Sequence, residues 1–138
     1  MVGPLEVYRV NHHGSAHSSN PCFAQVLHPQ VSIFSSGHNN RYGHPSPTVY
    51  SRLKSFGDVF ITGGVARHHG PEIRTDVVGD DVEVLVSPDG ASYWINGLPY
   101  HSLTDAEELS RQSALTACDV GPLADGSQYE LIEGAIGD

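Results

Sequence analysis

The sequence predicts an α/β domain with a mixed, twisted sheet and helices on one face. Three observations point there. Short β-prone runs alternate with one-sided helical patterns through residues 5–62. Both helical stretches in that region open on a polar residue followed by proline, the arrangement that starts a helix. A hairpin signal then surrounds Ser87-Pro88-Asp89-Gly90. At 138 residues the chain has the size of one common domain and is too short for two independent cores.

The elements follow in order. Leu5 to Val10 alternates and runs straight into Asn11-His12-His13-Gly14-Ser15, a strand delivering a polar loop. Asn20 then caps a short helix with Pro21 at its first position, Phe23, Val26 and Leu27 on one face, and Pro29 as its stop. Val31 to Ser35 is a second strand, and it leads to a second polar loop, Gly37-His38-Asn39-Asn40-Arg41-Tyr42-Gly43-His44-Pro45. Ser46-Pro47 opens another helix in which Val49, Leu53 and Phe56 recur at i, i+4 and i+7, and Gly57 is expected to supply a left-handed stop. A third strand spans 58–62. Short connections favour right-handed crossovers and parallel pairing, which puts both polar loops at the carboxyl ends of the strands, on one edge. The strands 82–86 and 91–95 are expected to form an antiparallel ribbon extending the sheet. Leu103-Thr104-Asp105 caps a helix through about Leu115, and residues 120–138 read as a loose acidic tail.

Charge is divided unevenly along the chain. The net charge is −9, yet residues 1–75 carry six Lys/Arg against three Asp/Glu, whereas residues 76–138 carry one against thirteen. Eight of the nine histidines also lie in the first part, so any chemistry is expected there. The negative balance argues against a general nucleic-acid binder. Cys22 and Cys118 match no metal or disulfide spacing, which argues against a cysteine-held zinc and fits a reducing compartment or two unrelated thiols. No apolar run approaches the roughly 18–20 residues a bilayer crossing needs, and no charged-then-apolar leader opens the chain, so a cytoplasmic, soluble protein is expected with no membrane partner.

Two loops carry the candidate chemistry. His12, His13, Ser15 and His17 place imidazoles and hydroxyls at a strand end where Gly14 permits close backbone approach. Neighbours on a strand point to opposite sides, so one of His12 and His13 would face a given metal. Taken alone, the dipeptide also reads as an ordinary surface pair. In the second loop Asn40, Arg41, Tyr42 and His44 are donors suited to phosphate or carboxylate, or else a structured turn whose asparagines cap local backbone. His68-His69 has no acidic partner at ligand spacing and reads as exposed, and His28 and His101 are isolated. Asp76, Asp80 and Asp81 could supply carboxylates, but their position before a strand fits a solvated turn better.

The ordered pair Asn11-His12-His13-Gly14-Ser15 with Ser18-Ser19, then Gly37 to Pro45 and the helix to Gly57, resembles the C-terminal half of metallo-β-lactamase-fold hydrolases. Among them it is most similar to the hydrolase domain of competence DNA-uptake channel proteins, which share the "HHGS" and "NNRYGHP" elements. The resemblance covers residues 5–64 and extends to the hairpin at 82–95. It implies half of an αββα sandwich over residues 1–101, with 102–138 as an acidic C-terminal segment. It also implies zinc or manganese at the sheet edge, activating a hydroxide towards a phosphodiester or related ester. His13, with His12 as the alternative, would be the metal ligand. His12 and His44 would assist catalysis, and Ser15, Asn40 and Arg41 would hold a phosphate-containing ligand.

The family's HxHxDH motif and its later Gly-Asp both precede "HHGS", and the eleven residues before His12 contain neither. The resemblance therefore implies a truncated domain, not competent in catalysis alone, that serves as an oligomeric binding or structural protein. Its alternative is a hydrolase completed by a second copy or by a partner chain carrying the N-terminal half. A half-sandwich would expose the apolar faces of the strands at 5–10, 31–35 and 58–62. A homo-oligomer, or a helix bearing Leu103, Leu109 and Leu115, is expected to cover them.

Overall fold

The computed structural model describes residues 3–112. Three parallel strands, β1 (Val7–Arg9), β2 (Val31–Phe34) and β3 (Asp58–Ile61), lie in the order β1-β2-β3. The register pairs Val7 with Val31 and Val31 with Asp58. The connections are α1 (Pro21–Leu27) and α2 (Pro47–Lys54). Each begins as its sequence dictates: the Asn20 side chain accepts from the Phe23 N–H at 2.9 Å, and proline occupies the first turn of both helices.

A second sheet is an antiparallel meander, β4 (Val84–Val86), β5 (Ser92–Ile95) and β6 (Leu98–His101). It does not extend the parallel sheet as the hairpin pattern suggested. It packs across it instead. Alternation along the parallel strands explains the resulting layers. Tyr8, Val10, Phe34, Val59 and Ile61 meet Ala24, Leu27, Val49, Tyr50 and Leu53 of the helices, while Val31 and Ile33 meet Tyr93 and Ile95 of the meander. Tyr93 donates to the Gln30 side chain at 2.6 Å and Tyr100 to Asp58 at 2.7 Å, binding the two sheets at their polar margin. The order is helices, parallel sheet, antiparallel sheet.

That arrangement corrects the expected cover. The apolar face of the parallel sheet is buried by β4 to β6 within one chain, with Val31 fully buried and Ile95 likewise. The rival helix exists as α4 (Asp105–Gln112), but none of its residues is buried and Leu109 is 67% exposed. Leu115 and the tail lie outside the described residues. Arg111 ties α4 back through a 2.8 Å bond to the His28 carbonyl.

One smaller expectation also changes. Gly57 does not adopt a left-handed conformation. Its glycine is required because a Cβ there would stand 2.1 Å from the Gln30 carbonyl oxygen. A one-turn helix, α3 (Pro71–Arg74), follows the turn after β3. Among the described residues no helix is long and apolar enough to cross a membrane, and Cys22 is a free thiol.

Candidate active-site cleft

The chain between β1 and α1 turns through three consecutive left-handed residues, His12 (φ 46°), His13 (φ 55°) and Gly14 (φ 78°). Strand alternation therefore ends before the histidines, and both rings face outward together. Two features hold this costly backbone. The Gly14 carbonyl accepts from Ser46 N–H at 2.7 Å, and Gly14 lies so close to Phe34 that a Cβ would meet its ring at 2.6 Å. Beneath the turn, the Ser18 hydroxyl bonds the carbonyls of Asn11 (3.0 Å) and Ser15 (2.9 Å).

The second loop arrives beside it. Asn40 braces this loop from inside: its carbonyl oxygen accepts from His44 N–H at 2.9 Å, and its amide donates to the carbonyls of His44 (2.7 Å) and Gly37 (2.9 Å). The result is a triangle of imidazoles. Ring centroids lie 5.8 Å apart for His12 and His44, 6.0 Å for His13 and His44, and 6.3 Å for His12 and His13. Tyr42 stacks on His44 at 5.7 Å.

These loops wall a cleft of about 610 Å³ whose lining includes His13, Asn40, Tyr42, His44, Asp80 and Asp81. His13 Nδ1 lies 2.6 Å from the Ser35 carbonyl. A carbonyl only accepts, so Nδ1 carries the proton and Nε2 keeps a free lone pair, the tautomer that metal-binding histidines use. Withdrawal from water, and then the neighbouring His12 and His13, lower the pKa of His44 below the usual histidine value. It stays neutral to lower pH than a free histidine.

This geometry offers zinc or manganese few donors. His13 is prepared as a single ligand, but among the described residues no group of three His, Cys, Asp or Glu side chains is placed to hold a metal. A stable zinc site needs three or four protein ligands. The described residues therefore fit such an ion only in part.

Of the residues singled out in the sequence, His12, His13 and His44 come together and Asn40 holds their frame. Ser15 is only 5% exposed, its hydroxyl accepts from His17 N–H at 3.2 Å, and it lies behind the turn rather than in the cleft. Arg41 directs its guanidinium to Tyr42, over the ring at 5.2 Å and onto the hydroxyl at 3.1 Å. Asp80 and Asp81, read in the sequence as a solvated turn, are exposed and also line the cleft. A parallel bridge from Val77 to Ile61, continued by Gly79 N–H to the Thr62 carbonyl at 2.8 Å, carries them to the same sheet edge. The short Val77-Val78-Gly79 run was the available signal. His69, expected to be exposed, is only 7% so.

An α/β chain with two histidine-bearing loops at the carboxyl edge of a parallel sheet is the class that fold and cleft define. The chain is similar to ComE operon protein 3 of Bacillus subtilis (strain 168), 45% identical over 74 residues, which is 54% of this chain and 8% of that protein. It is also similar to Competence protein ComA of Neisseria gonorrhoeae, 36% identical over 52 residues, covering 38% of this chain and 8% of that protein. The chain thus matches about a twelfth of the length of these curated relatives. No family model matches it, and no solved structure does.

Proposed function

We propose that this chain forms the C-terminal half of a metallo-β-lactamase-like hydrolase site of the competence DNA-uptake type. The observation that carries the reading is His13: its Nδ1 is committed to the Ser35 carbonyl, which leaves Nε2 without a proton on a ring that lines the same cleft as His44. Similarity to two competence proteins supports the same reading and a role in DNA uptake. The substrate class is a phosphodiester or related ester.

In this reading His13 supplies one ligand to zinc or manganese, and the other ligands come from a second copy or a partner chain carrying an HxHxDH motif. The metal, when bound, supplies an activated water and a Lewis acid. His44, kept neutral, accepts a proton at its free ring nitrogen, and His12 stands beside it. Asn40 acts through the backbone it braces. Arg41 reaches a substrate phosphate only by leaving Tyr42, and Ser15 shapes the turn from behind. The chain alone is not catalytically competent.

Hydrolysis of bis-p-nitrophenyl phosphate with zinc or manganese tests this. No turnover is expected from the chain alone, and turnover lost in His13→Ala is expected once a polypeptide carrying HxHxDH is added. Turnover by the chain alone that survives His13→Ala would refute the reading.

A further inference from the structure

We propose that His69 is a positioning residue for the cleft, holding the Tyr42–His44 turn through a hydrogen bond from its Nε2–H to the Gly43 carbonyl. That bond measures 2.9 Å, and the acceptor fixes the proton on Nε2. His69 is buried although its neighbour His68 is exposed. A buried imidazole whose donor serves a loop 26 residues away has a packing and bonding task. The inference rests on the reading of His13 and His44 as one site.

The segment bearing His69 is built to be rigid. Arg74 donates to the carbonyls of His69 (3.0 Å), Ala66 (3.2 Å) and Arg67 (2.8 Å), clasping the turn with one guanidinium. Ala66 N–H in turn donates to the His44 carbonyl at 3.1 Å. Two successive carbonyls of the second loop, Gly43 and His44, are therefore held from the same short segment. The need is local: Gly43 has φ +81° and no side chain, so its own conformational freedom would otherwise pass directly to His44. The His44 ring lies 6.0 Å from that of His13, and a shift at Gly43 would change that spacing.

The test compares His69→Gln, whose amide nitrogen mimics Nε2–H, with His69→Leu, which fills the space without a donor, in the full chain. Nuclear Overhauser contacts between the His13 and His44 rings report position, and zinc titration with and without His13→Ala reports the site they belong to. The expected result is contacts retained in His69→Gln and lost in His69→Leu. Intact contacts in a folded His69→Leu would overturn the proposal, and so would equal loss in both variants. Should His69→Leu fail to fold, the wild type decides: long-range proton–nitrogen correlation must show the Nε2–H tautomer at His69, and the Nδ1–H tautomer refutes it. Ring contacts that respond as expected in a chain whose zinc binding ignores His13→Ala would uphold the positioning role and sink the hydrolase reading.

Discussion

Gly14 shows how much of the site is decided by one missing atom. Its φ of 78° is open to glycine, and a Cβ would meet the Phe34 ring at 2.6 Å and Pro45 Cβ at 2.9 Å. Gly14→Ala is expected to destabilise the chain by about 2–4 kcal/mol, read as a lowered urea midpoint. The histidines set a pH dependence of stated sign. Burial, then the charge of Arg111, lower the pKa of His28, and burial, then His12 and His13, lower that of His44. Between their folded values and about 6.5 the unfolded chain binds more protons, so this stability is complete above about pH 6.5 and falls as pH drops. Urea midpoints at pH 7.5 and 5 should show the loss. His28→Asn, which suits the left-handed φ of 34° at that position, should reduce it. A midpoint that rises on acidification contradicts the account. At this scale the sequence identified His12, His13 and His44 from their polar, glycine-bearing loops. It left open whether Asn40 meets a ligand or caps its own loop, and the bonds to Gly37 and His44 decide for the cap. That Ser15 lies behind the turn depends on the left-handed run at His12 to Gly14, which strand alternation does not predict.

At the scale of elements, β1 to β3 and α1 to α2 were legible because alternation, caps and proline positions agree with one another. The third meander strand was legible but overlooked. Asn96-Gly97, both with positive φ (46° and 82°), is the dipeptide that favours a two-residue hairpin turn, and it joins β5 to β6. What periodicity could not decide was whether the ribbon joins the parallel sheet edge to edge or lies across it. The buried Tyr93 and Ile95 settle that through packing. Ile95→Ala should cost about 2–5 kcal/mol, because it opens a cavity against Val31 and Ile33. Tyr93→Phe should cost about 1 kcal/mol through loss of the 2.6 Å bond to Gln30. Chemical denaturation of both variants checks this, and an unaffected Ile95→Ala would mean the meander is not the cover.

For the whole molecule, three layers explain why a chain resembling half of a sandwich needs no second copy to bury its parallel sheet. The helices cover one face and the meander the other. The free resource is the carboxyl edge, where both loops and the Gly79–Asp81 turn open onto one cleft. Asp80 and Asp81 line the same cleft as His13 and His44, so Asp80→Asn with Asp81→Asn should weaken binding of a divalent cation there while leaving the fold intact, measured by calorimetry and circular dichroism. The central claim is that His13 presents Nε2 as a metal ligand. Zinc titration of the chain, followed by long-range proton–nitrogen correlation of the imidazoles, tests it most directly. The account predicts that His13 begins as the Nδ1–H tautomer and that its Nε2 resonance moves with added zinc, a response absent in His13→Ala. A His13 resonance that stays in place while zinc binds at other residues would contradict it.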